Sequence, residues 1–346
     1  MIKTAVLVGC GAMAKSWVEA ITDVPYLSTK IKIVGLVDLS LDTAQALANQ
    51  FHLSQAKIGT DLEEILQLIQ PDLVLDVAIP AARYKIVSLA LQQGCHVISE
   101  KPMANNLTEA HQLIKLASKQ GKIHSIIQNR RYNSGIRRIN ELVTSGALGT
   151  LTSVHCDFFI GAHFGGFRDE MEHVLLHDMA IHTFDAARFI INKKPLNVYC
   201  QESNPVGSWY KHGAAANAIF EFEENCIFTY RGSWCAEGMN TSWESEWRVI
   251  GTKGTLTWDG LDTLQANIIS GSEGFFRETQ SLKITDVEDN RKTQGHISVL
   301  SDFIDAINNG TEPETINKDN INSLAMVFAA IESAESNLRI NIKNEV

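Results

Sequence analysis

The run Ala5-Val6-Leu7-Val8-Gly9-Cys10-Gly11-Ala12-Met13-Ala14 decides how the first third of the chain is read. Four apolar residues make a short buried strand, and a G-x-G-x-x-A turn follows at once, opening a helical stretch over 13–21. Gly9 permits the tight turn, Gly11 lets backbone approach a diphosphate, and the small Ala14 allows close helix–strand packing. The N–H groups at Ala12 and Met13, at the positive end of that helix, suit phosphate oxygens. A second strand over 31–37 ends in Asp38, an acid placed to accept ribose hydroxyls and to repel a 2′-phosphate. Strand, turn, helix, strand and acid in this order predict a dinucleotide site that takes NAD in preference to NADP.

The alternation continues downstream. An amphipathic helix spans 61–69, an apolar strand 73–79, and a helix 87–93 that Gly94 stops. A strand at 97–98, a helix over 107–120 ended by Gly121 and a strand over 122–128 complete the series. Such alternation implies a parallel sheet with right-handed crossovers, a Rossmann domain over 1–128. The remainder, 129–346, changes texture. Helices at 134–144 and 175–190 flank a strand at 150–160, and strands follow at 197–201, 214–221, 226–233, 246–250 and 255–258. Helices at 296–308 and 321–339, separated by a loop over 309–319, close the chain, and the last is expected to pack back on the first domain.

With 346 residues, 45% hydrophobic and 20% charged, the chain suits two globular domains. A formal net charge of −10 argues against nucleic acid and anionic membranes. No apolar run reaches the roughly 20 residues of a membrane span. Met1-Ile2-Lys3-Thr4 carries no secretion pattern, and the six scattered cysteines show no Cys-x-x-Cys, so reduced thiols in a cytoplasmic protein are expected.

Two stretches carry the candidate chemistry. In Val97-Ile98-Ser99-Glu100-Lys101-Pro102 the chain leaves the sheet at Lys101, because Pro102 has no N–H to continue a central strand. Ligands of open α/β sheets sit at that carboxyl edge. Farther on, Asp178, His182 and Asp185 fall at i, i+4 and i+7 of a helix whose buried stripe is Met179, Thr183, Ala187 and Ile190. His182, with an ordinary pKa near 6.5, suits a general base. Asp178 either orients a substrate hydroxyl or fixes the imidazole tautomer, Lys101 either holds an alkoxide-like oxygen or shares its proton, and Asp185 reads as structural. His163 and Arg168 lie in a glycine-rich polar loop over 161–169, a texture that suits ligand contact, and Trp234 at a strand end is the tryptophan expected to face a pocket. A metal reading of His173, His177, Asp178 and His182 lacks a further Cys or Glu at ligand spacing, so no metal is expected.

These motifs resemble the glucose-fructose oxidoreductase and inositol dehydrogenase family (Gfo/Idh/MocA). The similarity runs through Gly9-x-Gly11-x-x-Ala14, Ile79-Pro80, Glu100-Lys101-Pro102, Asn129-Arg130-Arg131-Tyr132, Ser145-Gly146-Ala147-Leu148-Gly149 and Asp178-x-x-x-His182. It implies a fold class of α/β plus α+β, the second domain built on an open, mostly antiparallel sheet whose outer face joins subunits into a dimer or tetramer. It also implies NAD(P)-dependent hydride transfer from a secondary hydroxyl of a sugar, cyclitol or glycoside. Lys101 then reaches the reacting hydroxyl and His182 accepts its proton. Ile79, Pro80, Tyr84 and Glu100 join the cofactor contacts, and Tyr132 joins the substrate contacts. Two departures bear on substrate identity: Arg83-Tyr84 stands where a histidine is usual, and His173-Val174-Leu175 replaces a glycine pair. Alternative readings are a glycosidase that oxidises transiently and eliminates, or an NAD(P)-binding regulator without turnover.

Overall fold

The computed structural model describes residues 2–343. Six short apolar stretches, β1 (Lys3–Val8), β2 (Ile31–Val37), β3 (Lys57–Gly59), β4 (Leu73–Asp76), β5 (His96–Ser99) and β6 (His124–Ile126), pair in parallel in the order β3-β2-β1-β4-β5-β6. Strand order reverses between β1 and β4, and that switch point opens a crevice at the carboxyl ends. All four β4 residues are buried, which accounts for the apolar run Leu73-Val74-Leu75 ahead of the buried Asp76.

Several element ends differ from the sequence reading. β4 stops at Asp76 rather than 79, because the Asp76 carboxylate accepts the Ala78 N–H at 3.1 Å and turns the chain. The next helix is Pro80–Gln92, seven residues longer at its start than expected. Proline at the first helical position lacks only an N–H that has no intrahelical acceptor there.

The described residues form two compact units, 2–129 with 294–321, and 130–293 with 322–343. A return to the first unit after 129 is expected of the last helix, but it is 294–321 that belongs to that unit, and most of the last helix, from 322 on, belongs to the second. Ile126 N–H donates to the Thr315 carbonyl at 3.0 Å, and Ser125 pairs with Ile316 in an antiparallel bridge, so this segment covers the open edge of β6. Tyr26 Oη bonds the Asp305 carboxylate at 2.5 Å from the helix His296–Asn309. The final helix is Asn317–Ser336, so 317–319, read as loop, are helical.

The second unit is built on a nine-stranded sheet: β7 (Leu151–Phe159), β8 (Pro195–Ser203), β9 (Ala215–Phe222), β10 (Cys226–Ser233), β11 (Glu246–Gly251), β12 (Gly254–Trp258), β13 (Leu264–Ile269), β14 (Thr279–Ser281) and β15 (Ile340–Asn341). The order is β14-β13-β12-β11-β7-β10-β9-β8-β15, and the junction of β7 with β10 is parallel among antiparallel neighbours. Alternation puts Val154, Cys156, Phe158, Phe220, Phe228 and Tyr230 inward. Phe184 from the helix Ile181–Ile191 meets Phe220, Phe228 and Tyr230 edge-on, with ring centroids 4.7, 6.2 and 5.3 Å away.

Candidate functional site

The glycine turn of the first unit has the shape that a diphosphate needs. Gly9 sits at φ +89°, and a Cβ there would lie 2.7 Å from the Ala78 amide nitrogen, so only glycine fits beside the end of β4. At Gly11 a Cβ would meet nothing within 4 Å, leaving open space at the start of the helix Ala12–Asp23, whose first turn has no side-chain cap. One Asp38 oxygen accepts the Cys10 N–H at 2.8 Å and the other the Ser40 N–H at 2.9 Å. Those bonds aim the carboxylate along the strand edge and leave lone pairs for two hydroxyls. Three large apolar side chains stand exposed in the segments that follow β1, β2 and β4: Met13 at 41% in the first helical turn, Leu39 at 95% and Ile79 at 63%. Exposed donors beside apolar rims suit a dinucleotide. Burial, with the Asp38 charge adding, pushes the Cys10 thiol up to about 12, so it stays protonated.

Glu100, Lys101 and Pro102 are held from below. The Glu100 carboxylate accepts the Trp17 indole N–H at 2.9 Å, and its backbone N–H donates to the Asp76 carbonyl at 2.8 Å. Glu100 thus ties the first helix to the sheet. The Lys101–Pro102 peptide is cis, and Lys101 is half-buried where the chain leaves β5. Arg83, which the sequence reading noted only as a departure, lies beneath. It is 1% exposed, and its guanidinium reaches Asp76 at 3.0 Å, the Ala78 carbonyl at 2.6 Å and the Pro102 carbonyl at 2.8 Å. Burial raises Asp76 to about 6, the Arg83 charge opposing and the Glu100 charge adding. Tyr84 turns away from Arg83 to bond Gln112 at 2.6 Å.

In the second unit the expected helix is present but begins differently. Leu175–Ala180 is π-helical and passes directly into the α-helix Ile181–Ile191. A π turn is wider than an α turn, and such turns are frequent at functional sites. Asp178 and His182 straddle the change of pitch, and both are half-buried. Met179, Thr183, Ala187 and Ile190 form the buried stripe as read. Asp185 leaves the side of Asp178 and His182 for the interior. It is 1% exposed, takes Arg131 bidentately at 2.8 and 2.5 Å, and accepts the Ser323 hydroxyl at 2.7 Å. His182 lines a small crevice of about 10 Å³, room for about one water, together with Arg130, Thr183, Trp243, Glu244 and Trp247. Arg130 bonds Glu244 there, and burial raises the Glu244 carboxyl while Arg130 pulls it back. Arg130 enters the sequence reading only within the Asn129–Tyr132 motif and Thr183 only in the buried stripe, while Trp243 and Glu244 lie in the loop 234–245, which carries no motif.

Asp178 does not stand alone. Arg168 Nε donates to its Oδ2 at 2.8 Å, from the loop where Gly165 and Gly166 adopt φ +68° and +69°. His163 stacks on Trp209 with centroids 3.6 Å apart and bonds Glu237 at 3.0 Å. Trp234 is 2% exposed, buried edge-on against Phe158 and Phe164, so the exposed indole of that cluster is Trp243 instead. Tyr132 is 1% exposed under the Arg137 guanidinium, 4.2 Å from its ring. At the head of the helix, His173 bonds Glu202 at 2.6 Å and Glu335 at 3.4 Å; the Glu202 bond is the first cause of its raised pKa. Among the described residues no group of three or more His, Cys, Asp or Glu could hold a metal ion, and no helix is long and apolar enough to cross a membrane.

Comparison with known proteins places the arrangement. Residues 3–128 match the profile of an oxidoreductase family with an NAD-binding Rossmann fold, and 136–257 match the C-terminal domain profile of the same GFO/IDH/MocA group. The chain belongs to the Gfo/Idh/MocA oxidoreductase family. Relatives within Gfo/Idh/MocA include the D-apiose dehydrogenase of Paraburkholderia graminis, 23% identical over 98% of this chain and 89% of that one. The inositol 2-dehydrogenase/D-chiro-inositol 3-dehydrogenase of Lacticaseibacillus casei is 27% identical over 56% of this chain and 54% of its own length. An Agrobacterium radiobacter oxidoreductase, solved with NAD+, L-tartaric acid and magnesium, shares the fold. It has a TM-score of 0.85 over 99% of both chains at 20% identity.

Proposed function

We propose that this member of the Gfo/Idh/MocA family oxidises a secondary hydroxyl of a sugar, cyclitol or glycoside, with His182 as base and Lys101 and Asp178 orienting the hydroxyl. The observation that carries the reading is the pair Asp178 and His182, both half-buried on one continuous helical segment, with the imidazole standing beside Arg130, Trp243 and Trp247. Gly9, Gly11, Ala12, Met13 and Asp38 would hold NAD, with Ile79, Pro80 and Lys101 at the nicotinamide end. Bound NAD supplies the acceptor for the hydride that leaves the carbinol carbon. His182 takes the hydroxyl proton as that bond breaks. Lys101, a cation at the end of β5, stabilises the oxygen as negative charge develops on it. Asp178 accepts a hydrogen bond from the same or the neighbouring hydroxyl and fixes the ring. Relatives named for a sugar and for a cyclitol support this substrate class.

The outer face of the nine-stranded sheet, with Tyr199 43% and Ile219 50% exposed, would join two copies of the chain. The six free cysteines suit the cytoplasm. The test is NADH formation across monosaccharides, inositols and glycosides. His182→Ala should lower turnover about 100- to 10,000-fold while NADH still binds. A variant that keeps half the wild-type rate refutes the assignment. Hydrolysis of a glycoside without net NADH would transfer the same residues to oxidation followed by elimination.

A further inference from the structure

Arg168 carries more hydrogen-bonding capacity than the protein uses. Its Nε holds Asp178 at 2.8 Å, and among the described residues no acceptor takes either Nη nitrogen. A guanidinium has five N–H donors in a fixed fork, so four remain on one end. Two phenyl rings clamp that fork, Phe164 at 5.0 Å and Phe167 at 4.9 Å, and those rings are themselves 44% and 60% exposed. Cation–ring contacts on two sides restrict where the guanidinium plane points. The arrangement therefore presents a fixed cation with a vacant, two-pronged donor end beside Asp178.

A neutral polyol does not need such a cation. Its hydroxyls are served by single donors, and Asp178 alone orients one. A carboxylate differs, because its two oxygens match the fork and form charge-assisted bonds roughly twice as strong as neutral ones. Acidic groups are also close to the fork. The chain's formal net charge is −10, and Asp178, Asp169 and Glu237 lie on or beside this loop. Beside those acids, a carboxylate ligand needs a fixed positive group at the point where it docks.

We infer that the substrate is an acid, a sugar or polyol bearing a carboxylate that the Nη groups of Arg168 receive while its Nε keeps Asp178 in place. The inference rests on the reading that Asp178 and His182 serve the substrate. It makes Arg168 a specificity residue: the bond it forms is to a part of the substrate that does not react.

The test compares pairs that differ only in CH2OH against COO−: D-glucose with D-glucuronate, D-galactose with D-galacturonate, and D-sorbitol with D-gluconate. Binding to the NADH-loaded protein is followed by calorimetry. At least one acid should bind tenfold or more tightly than its neutral partner. In Arg168→Gln that preference should fall by about 10- to 100-fold, and in Arg168→Lys, which keeps the charge and loses the fork, by less. The inference is overturned if every neutral partner binds as well as its acid, if neither class binds, or if the preference survives in Arg168→Gln. The lysine variant and the wild-type pairs stand even if the glutamine variant does not fold. Turnover of neutral polyols alone would sink the acid and spare the dehydrogenase reading. Arg168-dependent binding of an acid without any NADH formation would do the reverse.

Discussion

Replacing Arg83 by methionine removes the guanidinium that joins the end of β4 to the Lys101–Pro102 segment. Three bonds go at once, to Asp76, to the Ala78 carbonyl and to the Pro102 carbonyl. Asp76, 0% exposed, is then left without its cation. Stripping one partner from a buried pair costs about 3–5 kcal/mol, so Arg83→Met should lose that much at pH 8. The loss must depend on pH in a definite direction. An acid whose native pKa lies above its unfolded value, about 4, binds its proton more tightly when folded. Its stability is therefore full below the unfolded value and drains as pH rises through the native one. In the wild type that native value is already about 6, and without the opposing Arg83 charge it goes higher. Between the two values each pH unit costs up to about 1.4 kcal/mol. At pH 5 the variant carries a protonated Asp76, and its deficit should shrink to about 2 kcal/mol, the share of the two orphaned carbonyls. Urea unfolding of wild type, Arg83→Met and the double variant Asp76→Asn/Arg83→Met at pH 5 and pH 8 tests this. The double variant should recover much of the pH 8 loss. A deficit equal at both pH values, or a double variant no better than the single, refutes the account of Arg83 as the counter-ion of a buried acid.

The two glycines of the turn should separate structural from cofactor effects. Gly9→Ala, blocked by Ala78 and by its positive φ, should lower thermal stability and NADH affinity together. Gly11→Ala, whose Cβ meets no protein atom, should leave the melting temperature unchanged and weaken NADH about tenfold or more by fluorescence titration. Removing the acid in Asp38→Ala should shift the NADP-to-NAD affinity ratio upward by about tenfold, and an unchanged ratio would deny Asp38 its ribose contact. The His173–Glu202 pair raises the imidazole pKa, so its contribution is full below about pH 6.5 and fades as pH rises through the native value. Relative to His173→Gln, the wild type should be more stable by about 1 kcal/mol at pH 6 and by nearly nothing at pH 9, a comparison that denaturation at the two pH values settles.

Where physical chemistry acts locally, the sequence could be read. β2, the helix Leu107–Gln120 with its Gly121 cap, and the helix Ser134–Thr144 stand at the residues that periodicity and capping indicate. The dinucleotide turn was legible because each glycine answers a local demand. What escaped depends on distant partners. Pro80 was taken as a strand stop, although it equally opens a helix. β13 and β14 were missed because Leu264–Ile269 is short and alternates weakly, and its partner Thr279–Ser281 is wholly exposed. The π turn at Leu175–Ala180 has no signature, since the same side chains suit an α turn. Arg83 entered only as a departure from the family pattern and Arg131 only within a motif, because nothing adjacent in sequence announces Asp76 or Asp185 as their buried acceptors. Asp178 with His182 was visible as a pair, but Trp243 and Glu244 beside His182 come from a segment without a pattern, and the Asn129–Tyr132 motif did not say that Arg130 would meet them.

The strip 294–321 laid along β6 has a bearing on how this polypeptide is made. Ser125 meets Thr315 across 190 positions, and Tyr26 meets Asp305 across 279. During synthesis the nucleotide-binding sheet thus emerges early with a bare flank and waits for nearly the whole second unit to be translated. A fragment cut after residue 129 would keep every phosphate-facing glycine and still expose the backbone donors of that flank. Anyone wishing to transplant the cofactor module, or to express it by itself, must carry both pieces of a gene that stores them far apart.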